Sequence, residues 1–250
     1  MTLDALKQTF NMFVLNMCLK VGVSKLARKP EIIDQSNDDT RCRILEIARQ
    51  HFAEKGFRAS SVRAITEEAD CNVASVNYYF GSKQNLYVEA FRSVIGNLTE
   101  VRVAALEGLL KREHGFTLEE LLRTFCRVFI DPLLENGGGR MFMRLMQREL
   151  DEKRLPPGLC IDEGMRPVRD AAHEALKRVF PQISTDVSYF CIQSVVGQLV
   201  YALQMKTFLS ETGYTDWPAL DLERTIDHVV HFSAAGIRGC VENTKGSAND

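Results

Sequence analysis

An all-α protein is what this sequence predicts, and three observations lead there. Apolar residues recur at three- and four-residue steps through most of the chain, and no convincing strand alternation of any length occurs. Ser, Thr or Asn stands where many of these segments begin, and Gly or Pro where they end. The bulk numbers agree: 250 residues, 45% hydrophobic and 26% charged, suit a folded chain with a sizeable core in one or two domains.

The elements follow in order. At the start, Leu3, Leu6, Phe10, Phe13, Val14, Met17, Cys18 and Val21 share a face, which predicts an amphipathic helix without the basic and small-residue flanks of a signal peptide. Residues 29–40, KPEIIDQSNDDT, are polar and carry a proline, so residues 1–39 form an extension with a linker. The spacing of Ile44, Leu45, Ile47, Ala48 and Phe52 predicts a helix from about Thr40 to Lys55, with Gly56 as its C-cap and Phe57 in the core. Ser60 and Ser61 offer an N-cap for a second helix, Val62 to Ala69. Asp70-Cys71-Asn72 makes a tight connection, and Asp70 stands where a left-handed backbone is needed. Asn72 caps a short third helix, Val73 to Phe80, stopped by Gly81, and Ser82 caps a long fourth one toward Leu110. Thr117 opens a helix to about Glu135, and residues 136–139 (NGGG) form a loop. Further helices are expected at Arg140–Asp151, Asp162–Phe180, Ser184–Ser210 and Pro218–Glu242, with residues 243–250 a frayed tail. Pro156-Pro157-Gly158, Pro181 and Gly213 with Trp217-Pro218 mark the breaks.

The stretch Val73–Lys83, VASVNYYFGSK, is too polar for a core and too aromatic for a loop. Two short helices joined by a three-residue turn inside a three-helix unit make a helix-turn-helix, whose second helix needs one dry and one wet face. Val73, Val76 and Phe80 supply the dry stripe. Ala74 and Ser75 are small enough to approach a groove floor, Asn77 carries a donor and an acceptor for a base edge, and the Tyr78 hydroxyl can reach a phosphate. Ser60, Ser61, Arg63, Asn72 and Lys83 surround this helix as candidate backbone contacts. Over residues 40–95 there are eight Lys or Arg against six Asp or Glu, a modest balance, so affinity must come from placed contacts and two copies of the site.

The span from Arg43 to about Phe91, with SSVRAITEEADCNVASVNYYFGSKQNLYVEAF at its centre, resembles the N-terminal domain of the TetR family of bacterial transcriptional repressors. Tyr78-Tyr79-Phe80-Gly81-Ser82-Lys83 followed by Leu86 is its most specific part. Asp70, Asn77 and Tyr79 depart from the more frequent Gly, Tyr and His. VNYYFGSK, with the later RLMQRELDE (Arg144–Glu152), resembles the CecR-type subgroup. The resemblance implies a homodimeric repressor on a palindromic operator, with a helix-turn-helix domain over residues 40–88 and a helical effector-binding and dimerisation domain over 89–242. It implies a dimer interface on the last two long helices, and the surplus of apolar residues from Phe190 to Leu203 agrees. It also implies an effector cavity, for which Phe125, Phe129, Met143, Met146, Gln147, Tyr189 and Gln193 are the candidates, with a small, fairly apolar ligand expected. Arg148 and Glu149 could instead form an internal ion pair.

Other functions are weaker readings. The seven cysteines are odd in number, widely spaced and free of C-x-x-C, which points away from disulfides and zinc and toward the cytoplasm, with a redox role for Cys71 left open. No apolar run reaches membrane-spanning length. No nucleophile context, phosphate loop or full metal set occurs, although Glu223 and Asp227 lie one turn before His228 and His231, so no enzyme, cofactor or metal is expected. The remaining alternative is a helical ligand- or protein-binding bundle without DNA binding.

Overall fold

The computed structural model describes residues 35–134, 138–213 and 221–246, and every described regular element is helical. Nine α-helices are described: α1 Gln35–Ala59, α2 Val62–Glu68, α3 Val73–Phe80, α4 Lys83–Leu110, α5 Leu118–Leu134, α6 Gly138–Glu152, α7 Arg166–Val179, α8 Thr185–Thr212 and α9 Leu222–Gly246. A single π-type segment, Cys160–Met165, precedes α7. The amphipathic segment expected near the start, the Trp217-Pro218 break and the final four residues of the tail lie outside the described residues.

Local chemistry sets most ends. Ser61 and Asn72 cap α2 and α3 by accepting from the Ala64 and Ala74 amides, at 3.4 and 2.9 Å. Asp70 sits at φ 49, the left-handed conformation expected there. Gly81, at φ 73, closes α3 by donating its amide to the Asn77 carbonyl. Ser82 caps α4 through the Asn85 amide. Thr117 and Glu120 satisfy each other's amides at the start of α5, a reciprocal capping box.

Several boundaries differ from expectation. The supposed linker is already helical from Gln35, where Asp39 pairs with Arg43 one turn on. At Gly56 the backbone leaves the helical conformation, as expected of a helix end, and a short further helical turn runs on to Ala59. Gly138 and Gly139 belong to α6 rather than to a loop, and glycine in a first turn costs a helix only about 1 kcal/mol. The expected helix from Asp162 is π-type to Met165 and α-helical only from Arg166, with Pro167 in the first turn, where its missing N–H does no harm.

The chain packs as two compact units. One holds the described residues as far as Leu98 together with the segment 138–164; the other holds Thr99–Leu134 and the described residues from Met165 on. These units divide the chain differently from the expected domains over 40–88 and 89–242, because α6 packs against α1. In the first core Phe52, Tyr87 and Phe91 are fully buried among Ile44, Ile65 and Leu86, with Leu145 and Met146 of α6 added. The second core is built by α5, α7, α8 and α9 around Phe125, Leu176, Val195, Leu199 and Ile237.

Candidate nucleic-acid interface

The short helix α3 has two chemically distinct sides. Val76 and Phe80, one turn apart, are buried in the first core. Val73, expected beside them, is 45% exposed, because the first turn of α3 extends beyond the core that Val76 and Phe80 fill. Asn72, Ala74 and Asn77 are exposed, Ser75 is half-buried, and Tyr78 is 73% exposed. The Tyr78 ring meets Tyr79 edge-on at 4.9 Å, and Tyr79 packs on the core, so one tyrosine braces the other.

The flanking candidates separate. Ser61 is exposed at the N-terminus of α2, as a backbone contact requires. Ser60 is only 2% exposed; its hydroxyl donates to the carbonyls of Gly56 at 2.6 Å and His51 at 3.0 Å. It is an internal tie onto the end of α1, not a surface contact. Arg63 is exposed but paired with Glu67 at 2.8 Å, and this bond pushes its guanidinium pKa up. The Lys83 ammonium lies 4.4 Å from the centre of the Phe57 ring, and its partial burial lowers its pKa.

Sequence reasoning missed what holds this head to α6. Arg148 donates to the Glu54 carbonyl at 2.7 Å, and Glu152 accepts from the Arg58 amide at 3.2 Å, so α6 satisfies backbone groups on both sides of the Gly56 kink. Glu149 accepts from the Tyr87 hydroxyl at 2.9 Å and from the Leu155 amide at 2.8 Å. The internal Arg148–Glu149 pair considered from sequence is thus replaced by these contacts. Burial, then the Glu149 charge, drives the Tyr87 pKa upward. The available signal was Arg148-Glu149-Leu150-Asp151-Glu152 itself, whose i, i+3 and i+4 spacing puts three long polar side chains near one face, together with a core tyrosine in need of an acceptor.

The seven effector candidates divide between the two units. Met143, Met146 and Gln147 belong to the first unit, where Met146 is core and Met143 and Gln147 are exposed. Of the other four, only Phe125 lines the apolar cavity of the second unit, beside Leu121, Leu122, Ala172, Leu176, Ile192, Val195 and Ile237. That cavity measures about 20 Å³, room for a single water. Phe129 stacks on Phe125 and carries the Arg102 guanidinium 4.6 Å from its ring centre. Burial lowers the Arg102 pKa to about 10. Tyr189 donates its hydroxyl to Asp170 at 3.0 Å under the Arg169 guanidinium, and Gln193 is half-buried on α8. The carboxylates once considered with His228 and His231 are engaged elsewhere, Glu223 with Arg127 and Asp227 with Arg123. Among the described residues no group of three His, Cys, Asp or Glu side chains gathers as a metal ion would need, and no helix is long and apolar enough to cross a membrane.

A three-helix head whose second short helix is dry within and polar without defines a helix-turn-helix DNA-binding protein. Residues 44–90 match the family described as bacterial regulatory proteins, tetR family, and residues 123–236 match a tetracyclin repressor-like C-terminal domain, together more than half of the chain. The chain belongs to the TetR family of bacterial transcriptional regulators. It is similar to the HTH-type transcriptional regulator YttP of Bacillus subtilis, 47% identical over 111 residues that span 44% of this chain and 50% of that protein. It is also similar to the HTH-type transcriptional dual regulator CecR of Shigella flexneri, 23% identical over 75% of this chain and 85% of that one. The matched segment thus spans about half of YttP's length. Among solved structures, a TetR-family regulator from Mesorhizobium loti superposes with a TM-score of 0.64 at 19% identity, over 81% of this chain and 98% of the other, which shows the fold.

Proposed function

We propose that the chain is a ligand-responsive repressor that binds a palindromic operator as a homodimer in the cytoplasm and is released by a small, fairly apolar effector. The observation that carries this reading is that α3 buries Val76 and Phe80 in the core while Asn72, Ala74, Asn77 and Tyr78 stay exposed. Asn77 reads a base edge, with adenine the favourable partner, while Ala74 and Ser75 allow close approach. Val73, exposed, adds an apolar contact of the kind that suits a thymine methyl. The Tyr78 hydroxyl, Ser61, Asn72, Arg63 and Lys83 serve the phosphates, and Ser60 is withdrawn from the set because it is buried.

The dimer is argued from α8 and α9. Phe190, Ser194, Gly197, Tyr201 and Phe208 are all exposed, and their steps of four, seven, eleven and eighteen residues put them on one stripe of α8. Phe232, 64% exposed on α9, stacks with His228. Five large or small residues in one apolar stripe suit a four-helix interface between copies better than they suit water. The effector is argued from the apolar cavity, which must open to admit anything larger than water. An effector that favours wrongly spaced heads needs about 5.5 kcal/mol of differential binding to carry the population from almost wholly competent to almost wholly incompetent.

Selection of bound sequences from a random DNA pool tests the whole. The expected result is a palindrome whose half-sites lie about 34–36 Å apart, or a multiple of that. Recovery of no enriched sequence would favour a DNA-silent bundle.

A further inference from the structure

The pairing of α8 with α9 brings together two cysteines that no part of the DNA or effector reading uses. The Gln198 amide donates to the Ser233 hydroxyl at 3.1 Å, which fixes the register of the two helices. Seven residues back along α8 and seven forward along α9, two helical turns each in an antiparallel pair, lie Cys191 and Cys240. That register sets the two cysteines opposite each other across the helix pair. Cys191 is buried and Cys240 exposed, so one sulfur meets solvent and the other waits behind it.

We propose that Cys191 and Cys240 form an oxidisable dithiol that closes to a disulfide within one chain when the protein meets a peroxide. The steps balance. Hydrogen peroxide oxidises the exposed Cys240 thiol to a sulfenic acid and is itself reduced to water. The Cys191 sulfur then attacks the Cys240 sulfur, the S–O bond breaks, and the leaving hydroxide takes up the Cys191 proton as a second water. Burial, then the neighbouring Cys240, pushes the Cys191 thiol up to about 11, which disfavours it as the first sulfur to meet peroxide; its part in the second step comes from its place opposite Cys240. A dithiol that cycles in this way fits a reducing compartment, where disulfides are transient.

The bond has a structural consequence. Ile192, next to Cys191, and Ile237, one turn before Cys240, both line the apolar cavity. A disulfide therefore ties two walls of that cavity together and resists its opening. This consequence rests on the effector reading above; formation of the disulfide does not.

The test uses the full chain, fully reduced and then titrated with hydrogen peroxide. Intact mass, thiol alkylation and peptide mapping follow, with Cys240→Ser and Cys191→Ser treated in parallel. The expected result is a loss of two hydrogens and two alkylatable thiols, a Cys191–Cys240 cross-linked peptide, and monomer mobility on a non-reducing denaturing gel. Cys240→Ser, at an exposed position, keeps its fold and gives no cross-link even if Cys191→Ser folds poorly. A Cys240–Cys240 bond between copies, or peroxide consumed at Cys42 or Cys71 with Cys191 still alkylatable, overturns the proposal. Nile red reports on the cavity: binding to the reduced chain and weaker binding to the oxidised chain supports the tether, and equal binding overturns it. Nile red bound by neither form counts against the effector reading while leaving the cross-link result intact.

Discussion

Gly56→Ala, combined with Glu152→Ala in a double-mutant cycle, tests the joint between α1 and α6. Gly56 sits at φ 79 and ψ 175, a conformation that is essentially glycine's alone and costs other residues about 1–3 kcal/mol. A Cβ at this position would also collide with the Glu152 carboxylate and come within 3.4 Å of Arg148 Cδ. The carboxylate must then leave the Arg58 amide, which forfeits a partly solvated hydrogen bond worth about 0.5–1.5 kcal/mol. Gly56→Ala should therefore cost the head about 2–4 kcal/mol, and Glu152→Ala alone about 0.5–1.5 kcal/mol. Removing Glu152 in the Gly56→Ala background should cost almost nothing further, since the bond is already broken, so the coupling energy is roughly that of the bond, about 1 kcal/mol. Native-state hydrogen exchange of peptides covering residues 50–64 reads the local opening free energy without assuming that the two units unfold together. Equal costs for Glu152→Ala in both backgrounds would refute the geometry at this joint.

Five other substitutions bear on the head and on the dimer. Asn77→Ala should relax preference at one base position by about 1–3 kcal/mol, while Tyr78→Phe should weaken all sequences alike, as binding-site selection and titration would show. Ser60→Ala should lower the stability of the head by about 0.5–1.5 kcal/mol through loss of its buried hydrogen bond and leave the salt dependence of DNA binding unchanged. Phe190→Glu or Phe232→Glu, placing charge on the exposed apolar stripe, should shift the protein to monomer in sedimentation equilibrium, and a persistent dimer would locate the interface elsewhere.

What was legible in the sequence was legible because short-range chemistry decides it. Asn72, Asp70, Gly81, Ser82 and Thr117 act on amides and carbonyls within four residues, so their roles could be inferred without knowing the fold. Ser60 and Ser61 show where this ends. Both are adjacent cap formers, yet the kink at Gly56 turns one hydroxyl inward onto carbonyls up to nine residues away and leaves the other outside. No local pattern distinguishes them. The same holds for α6: Met143, Met146 and Gln147 look like the lining of a distant pocket until Arg148, Glu149 and Glu152 are seen to bond the head's backbone and Tyr87. Those partners lie 62–94 residues away, and the polar spacing in α6 shows that the residues have partners, not which ones.

The head's cations raise a further point about affinity. Arg41 pairs with Glu89, Arg43 with Asp39 and Arg63 with Glu67, while Lys83 rests on Phe57. A phosphate that recruits Arg63 must first displace a carboxylate from it. That exchange releases fewer counterions than a free cation would and holds the salt dependence of binding below what eight basic residues suggest. Glu67→Gln should reverse this at one position. The exposed i, i+4 pair contributes little to stability, so the fold should survive. Affinity should rise for specific and random DNA alike, and the slope of log affinity against log salt should steepen by about 0.9 for the one phosphate gained. An unchanged slope with unchanged affinity would mean that Arg63 never meets the backbone, and that α2 contributes only Ser61 and its free amides.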